Sequence, residues 1–501
     1  MGQDVGRTGF GRSDRQRYRV KVHTCLDALA QLIRDSQFDA PSRPMTGLEL
    51  ELNLVDRDLQ PAMVNAAVVE AVGTEEFTTE LGRWNLEINV PPRALPGEAA
   101  LELERHLLDT VRVAEAKAQV LGARVALIGI LPTLRAEDLV SDRMSPRPRY
   151  EQLNEQMLEA RGEPFRLDIE GSGLGGREPE RLIADFDTIA PEAACTATQL
   201  HLQVPPHAYG AYWNASQCLA GVQLAVGANS PFLLDKLLWA ETRIPLFKQA
   251  CDVRSVELRN QGVRPRVWFG EKWINSIQEQ FEENSRYFPA LLPICEPEDP
   301  LAELAAGRAP ELTEMRLLNG TIWRWNRPVY DTVDGMAHFR VENRVLPAGP
   351  TIVDTMANAI FFYGLLRVLA EQERPLWTRL PFEAAGENFK IAARYGMNAS
   401  LYWPELGWVR PDELMLRTLL PMAADGLAGW GVSTSVADRY LDVIEQRCAN
   451  RQTGAAWQVG TVETLESRGR DRPAAIRGML DRYLDGMAAN EPVHAWELPR
   501  S

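Results

Sequence analysis

Glu49 and Glu51 in GLELELNLV, Glu87 in WNLEINV, His201 and Gln203 in TQLHLQV, and Arg340, Glu342 and Arg344 in HFRVENRVL are the residues whose types suit chemistry. Each lies in a run where polar and apolar residues alternate, and a period of two sorts a strand into two faces. Leu48, Leu50, Leu52 and Leu54 share one face of the first run, with Glu49, Glu51 and Asn53 on the other. In the same way Trp84, Leu86, Ile88 and Val90 oppose Asn85, Glu87 and Asn89, and Leu200, Leu202 and Val204 oppose Gln199, His201 and Gln203. Phe339, Val341 and Val345 oppose His338, Arg340, Glu342 and Arg344. Any one run alone is an ordinary half-exposed antiparallel strand with a solvated outer face. Together the outer faces carry Glu, Asn, Gln and His, with Arg on one strand only, which is not the Lys- and Thr-rich mixture of a solvent face. Glu49 and Glu51 have side chains about 6.5–7 Å apart at their base, so both reach one hard cation or two neighbouring ones. Carboxylates crowded on a concave face repel and rise in pKa unless divalent ions neutralise them. Oxygen ligands with an amide or imidazole point to Mg²⁺ or Mn²⁺ rather than zinc. Arg340 and Arg344 offer planar donors for carboxylate or phosphoryl oxygens. Metals plus arginine fit phosphoryl transfer.

The elements that position these residues follow from periodicity and breakers. A charged leader over residues 1–20 precedes a predicted amphipathic helix from His23 to Phe38, ended by a proline-containing stretch. Strands are expected at 46–55, 84–90, 124–130, 196–204 and 338–346, and a long helix from Pro96-Gly97 to Leu121. Residues 141–149 and 171–178 (GSGLGGRE) read as loops, the second a flexible one. Glu192 to Asp235 holds no Asp, Glu, Lys or Arg between its ends, but Pro205-Pro206, Asn214, Gln217 and Gln223 interrupt it. It therefore reads as a buried strand and a buried helix (212–226), not a membrane span. Beyond Pro404 the pattern is helical (413–427, 435–449, 473–487). The predicted organisation is a leader (1–20), a catalytic domain (21–400) and a helical C-terminal appendage (401–501).

The 501 residues hold 54 Lys plus Arg against 69 Asp plus Glu, a net charge of −15, with 45% hydrophobic residues. That is globular composition, and with no long basic run it argues against a nucleic-acid partner. Six scattered cysteines without a CxxC pair read as reduced thiols, Cys195 and Cys218 as packing groups. No apolar leader core marks secretion, so the expected setting is cytoplasmic. No Walker sequence is present, and GSGLGG follows no strand of a βαβ unit, so neither a P-loop nor a Rossmann site is indicated. Arg147, Arg149 and Tyr150 read as a solvated basic turn. Arg243, Arg264, Arg266 and Lys272 form a cationic cluster with phosphate-binding character, and Trp323 and Trp325 read as packing.

Four segments in order, GLELELNLVD (Gly47–Asp56), TELGRWNLEINVPPR (Thr79–Arg93), TQLHLQVPP (Thr198–Pro206) and FRVENRVLPAGPT (Phe339–Thr351), resemble the glutamate–cysteine ligase superfamily with its bacterial carboxylate–amine ligase branch. The resemblance implies an α+β, glutamine-synthetase-like fold: an antiparallel sheet curled into an active-site funnel with helices outside. It implies Mg²⁺ (or Mn²⁺) ions clamping ATP in that funnel. By motif position Glu49, Glu51, Glu87 and Glu342 would be metal ligands, and Glu80 would lie near the amino-acid substrate. His201 or Gln203 takes the polar ligand position of the third motif, with Gln203 preferred and His201 then toward the substrate or nucleotide. Arg340 and Arg344 would contact phosphate or substrate carboxylate; apart from the resemblance, Arg243 and Arg266 of the cationic cluster read as further nucleotide or substrate contacts. Asn343, where the family often has an apolar residue, points to the other face and bears on packing. The implied reaction is attack of the glutamate γ-carboxylate on ATP, then of an amine, cysteine first among the acceptors, on the γ-glutamyl phosphate. The expected partners are these small molecules, with no nucleic acid and no membrane. Two rival readings are the same chemistry with another amine, and a non-catalytic nucleotide- or amino-acid-binding member, which the retained Glu49, Glu51, Glu87, Glu342 and Arg344 argue against.

Overall fold

The four alternating runs become strands of one antiparallel sheet in the computed structural model, which describes residues 9–35, 38–39 and 45–499. Its strands are β1 (Met45–Asp56), β2 (Phe77–Thr79), β3 (Asn85–Ala94), β4 (Ala123–Ala126), β5 (Thr198–Gln203), β6 (Asn326–Val333) and β7 (Met336–Asn343). The order is β6-β7-β5-β1-β3-β2, with β4 paired to the far half of β1. Leu48, Leu50, Leu52 and Leu54 are all buried on the face turned to the core, as are Leu86, Ile88, Leu200, Leu202, Phe339 and Val341. Burying such side chains contributes about 1.5–3 kcal/mol each. A one-residue slip would instead drive the carboxylates into the core, so the apolar face fixes the register. The result is the expected curled antiparallel sheet with helices outside it.

The charge-free stretch gives β5 and a helix, Tyr209–Gly227, buried along almost its whole length. Its polar residues serve the back of the sheet: Trp213 donates to the Asn326 carbonyl at 2.9 Å, and Gln217 accepts from Asn326 at 2.7 Å. Asn343 joins them, donating to Gln223 at 3.1 Å and to Asn326 at 2.8 Å, which places it in packing as expected. A second helix, Ile352–Glu371, is among the described residues the one long and apolar enough to cross a membrane, and it is packed inside the fold. Its Tyr363 hydroxyl donates to the carbonyls of Gly47 and His201, clamping β1 and β5 from behind.

Several expectations change. The first helix runs Arg12–Asp35, so half of the expected leader is helical. Asp14, Tyr18, Val22 and Cys25 repeat at helical spacing and are buried, and Arg15 donates to the Ala290 carbonyl at 3.0 Å. Residues 1–8, and the proline-containing stretch at 40–44, lie outside the described residues. The loop expected over 141–149 ends in a helix, Pro148–Arg161, with Pro148 at its first turn. The GSGLGG segment is a 3-10 turn with neighbouring Arg177 tied to Glu463 at 3.1 Å and Glu466 at 2.6 Å. Buried contacts join the segments on either side of residue 400. Arg447 pairs with Asp354 at 2.7 Å, and Tyr483 donates to the Leu127 carbonyl at 2.6 Å. The helices Ile352–Glu371 and Leu420–Trp430 meet at Gly364 and Gly426.

Candidate functional site

Cross-strand register carries the polar residues into one belt. Arg327 on β6 faces Glu342 on β7, Glu342 faces His201 on β5, and His201 faces Gly47 on β1. Two residues further along β1, Glu49 lies between Gln199 and Asn89, and beyond it Glu51 faces Glu87, which faces Thr78. Gly47 has no side chain to fill the place opposite His201, whose Nε2 stands 3.1 Å from the Glu49 carboxylate. The belt lines a cavity of about 690 Å³.

Glu49, His201 and Glu342 offer ligand atoms all within 4.8 Å of one another. His201 Nδ1 is buried without a hydrogen-bond partner, an arrangement that costs about 1–3 kcal/mol if left unmet, while Nε2 meets the Glu49 carboxylate. A buried imidazole between two carboxylates fits a hard divalent cation such as Mg²⁺ or Mn²⁺. Glu342 is fully buried and gripped by Arg327 at 2.7 and 2.9 Å and by Arg344 at 2.6 Å. Burial pushes its pKa up, but Arg327 and Arg344 outweigh burial and hold it well below the carboxylate range. Burial also opposes ionisation of Glu49, and there His201 and Arg344 outweigh it. Arg344 binds Gln199 as well, and Glu342 with Glu51 keeps it cationic despite burial.

A second acidic group adjoins the first. Glu51 accepts from the Ala197 N–H at 2.7 Å and from Gln199 at 2.9 Å, and burial pushes it up to about 7 in spite of Arg344. Glu87 accepts from Asn89 at 2.6 Å, and burial with the charges of Glu49 and Glu51 raises it to about 7. Glu80 accepts from the Leu81 N–H at 3.2 Å, and burial beside Glu87 pushes it far above the usual range. Burial and mutual repulsion thus favour the protonated forms of these three, and a bound cation would favour the ionised ones.

The remaining expectations divide. Arg340 lies on the cavity wall, bonded to Asp331 at 3.2 Å and His338 at 2.6 Å. Arg243 is also on the wall, paired with Glu241 at 3.2 Å and 6.0 Å from the Trp325 ring. Gln203 is not brought into the group: it stands opposite Arg340, two residues further along β5, and donates to Asp39 at 3.0 Å. His201, not Gln203, is the residue of this strand that stands beside Glu49 and Glu342. Arg266 is buried off the cavity wall, donating to the carbonyls of Thr321 and Pro289. Arg264 and Lys272 are neutralised outside by Glu271 and Glu279, so the cationic cluster expected around 243–272 does not form. Arg147, Arg149 and Tyr150, expected in solvent, line the cavity from the start of the helix Pro148–Arg161, and Cys195, Trp323 and Trp325 line it too. Two residues escaped the sequence reading. Arg327 sits on β6, whose signal was the Asp334-Gly335 hairpin turn, both residues at positive φ. Glu192 sits in a short 3-10 turn, Ala190–Ala194, with no periodicity to mark it.

The family model "Glutamate-cysteine ligase family 2 (GCS2)" matches residues 45–447. A search of curated protein sequences finds no match. Among solved structures, a glutamate–cysteine ligase from Francisella tularensis in complex with AMP is similar at 12% identity and a TM-score of 0.49, with 92% of this chain and 91% of that one covered. A bifunctional glutathione synthetase from Pasteurella multocida is similar at 11% identity and a TM-score of 0.46, covering 93% of this chain and 55% of that one. A complex of the prokaryotic ubiquitin-like protein Pup with its ligase PafA is similar at 10% identity and a TM-score of 0.35, covering 87% and 71%. Matched from the first strand of the sheet into the C-terminal helices, the chain belongs to glutamate–cysteine ligase family 2 and is a carboxylate–amine ligase by that membership.

Proposed function

We propose that the chain is an ATP- and Mg²⁺-dependent ligase joining the γ-carboxylate of L-glutamate to an amino-acid amine, L-cysteine first among the acceptors, through a γ-glutamyl phosphate. One observation carries the reading: a buried Glu49–His201–Glu342 group beside Arg327 and Arg344 on the wall of the cavity, in a chain of this family. Glu49, His201 and Glu342 would hold a divalent cation, with Glu51, Glu80 and Glu87 as the neighbouring acidic set. When bound, such an ion offsets charge on the nucleotide phosphates and on these carboxylates.

The chain's own residues account for the rest of the chemistry. The γ-carboxylate of glutamate attacks the γ-phosphorus of ATP, an O–P bond forms and ADP departs with the electron pair of the broken bond. Arg344, kept cationic by Glu342 and Glu51, stabilises charge on the moving group, a role worth several orders of magnitude in comparable sites. Arg327 holds Glu342 bidentately and so fixes the carboxylate that Arg344 also uses. Arg340 and Arg243 offer cationic contacts on the wall for phosphate or substrate carboxylate, and Glu80 a contact for the amino-acid substrate. In the second step the amine attacks the acyl carbon and phosphate leaves. The proposed setting is the cytoplasm, with small-molecule partners only.

The test is ADP release with ATP, Mg²⁺, glutamate and a panel of amines. The reading expects ADP in stoichiometry with a γ-glutamyl amide and dependence on both glutamate and amine. Release only with an amine other than cysteine would replace the acceptor; no release with any amine would end the ligase reading.

A further inference from the structure

Outside the sheet belt, the turn Ala190–Ala194 presents Glu192 to the same cavity. Each acid of the belt already has a partner: Glu49 has His201, Glu51 has Gln199 and the Ala197 N–H, Glu87 has Asn89, and Glu342 has two arginines. Glu192 has neither a hydrogen bond nor an ion pair from its carboxylate among the described residues. It nevertheless stands where several elements converge. Arg149 and Tyr150 from the helix Pro148–Arg161, Arg344 after β7, Glu51 on β1, Glu80 before β3, and the thiols of Cys195 and Cys251 all fall within the reach of its charge. A half-buried carboxylate without a protein partner is costly unless a ligand supplies the opposite charge.

The second step of the proposed reaction brings such a ligand. An amino-acid amine enters as an ammonium, which has no lone pair and cannot attack an acyl phosphate until it loses a proton. Arg344 and Arg149, whose charges reach Glu192, suit the phosphate of the acyl phosphate, which would set the electrophile and this carboxylate in one corner of the cavity. We propose that Glu192 is the catalytic residue that receives the acceptor, binding its ammonium and taking one proton as the nitrogen attacks. The assignment rests on the ligase reading. The balance is simple: the N–H electron pair becomes the nucleophilic lone pair and the proton moves to a Glu192 oxygen. The C–N bond forms, the C–O bond to phosphate breaks, and phosphate leaves with that pair. The second nitrogen proton passes to the departing phosphate as the tetrahedral adduct collapses. Burial pushes Glu192 up to about 7 against the pull of Arg344 and Arg149, a value suited to a base that works near neutral pH.

Hydroxylamine separates this role from the others, because it is largely unprotonated near neutral pH and needs no base before attack. E192Q is compared with the unmodified chain for glutamate-dependent turnover with the amine acceptor and with hydroxylamine, the latter read as glutamyl hydroxamate. The expected result is a loss of roughly 10²-fold or more with the amine, the scale of general-base catalysis, and a far smaller loss with hydroxylamine. The amine rate of E192Q should climb with pH as free amine accumulates, and E192D should recover part of it. Equal losses with both nucleophiles, or no loss with either, overturn the assignment. Failure of the unmodified chain to form hydroxamate or ADP would instead strike the ligase reading itself, before any variant is made.

Discussion

Raising the pH from 6 to 8 should tighten Mg²⁺ binding to the metal-free protein by about one to two orders of magnitude. Glu51 and Glu87 face each other across β1 and β3, and both are pushed up to about 7 by burial. A carboxylate of that kind holds its proton about nine-tenths of the time at pH 6 and about one-tenth at pH 8. A cation needs the ionised form, so each group weakens binding about 10-fold at the acid end, about 1.4 kcal/mol. The two interact, so the protons belong to the pair, and the expected release at pH 6 is between about one and two per ion, falling toward zero by pH 8. The stability of the metal-free protein should run the other way. A carboxyl group whose pKa is raised in the folded state keeps a proton that the unfolded chain has lost. Stability therefore falls as pH rises from the ordinary carboxylate range to about 7, by up to about 3 kcal/mol per group. Glu342 has the opposite displacement, and its contribution is already complete above the ordinary carboxylate range, so it adds no slope in this window. Titration calorimetry in two buffers of different ionisation heat reads affinity and proton release together, and thermal melts without and with Mg²⁺ read the stability. A flat affinity with no proton release, and a metal-free melting temperature that rises from pH 5 to 7.5, would refute the reasoning.

Arg344→Ala should lower turnover by about 10³-fold or more while leaving the fold intact, because it removes the cation beside Glu342 and Gln199; near-normal activity in a steady-state assay would remove it from the mechanism. Arg266→Met should cost about 1–3 kcal/mol of stability in denaturant melts, since its carbonyl partners at Thr321 and Pro289 lose their donor. The folded fraction of that variant should keep its kcat. Gly426→Ala should destabilise by about 1–3 kcal/mol or more, because a Cβ there would meet the Gly364 carbonyl; an unchanged melt would show that the C-terminal helices are not packed as described.

The belt was legible because β strands obey a period of two. Once Leu48, Leu50, Leu52 and Leu54 are assigned to the core, Glu49 and Glu51 have no choice of face, and the same holds for Glu87, His201 and Glu342. The pattern is blind to depth. Asn53 and Asn85 share the polar face yet are buried, Asn53 bonding Thr196 and the Ile128 carbonyl. Gln203 and His201 share a face, and only the offset between β5 and β7 separates the one beside Glu342 from the one beside Arg340. β6 was missed because Pro328 interrupts an otherwise β-rich run, and with it went Arg327. Arg147, Arg149 and Glu192 come from a helix start and a turn, where no periodicity says which way a side chain points. Arg243, Arg264, Arg266 and Lys272 are close in sequence, but Arg264 and Lys272 find acidic neighbours outside and Arg266 is spent on carbonyls, so clustering in sequence was not clustering in space.

Mg²⁺-dependent ADP release with glutamate and an amine, measured in the unmodified chain and in Glu342→Gln, which removes the charge shared by the His201 group and both arginines, decides whether this chain is a ligase that works through that group. The expected result is ADP and γ-glutamyl amide in equal amounts from the unmodified chain, and a loss of about 10³-fold or more in the folded variant. ADP release that ignores glutamate, or a Glu342→Gln protein that turns over normally, would contradict it.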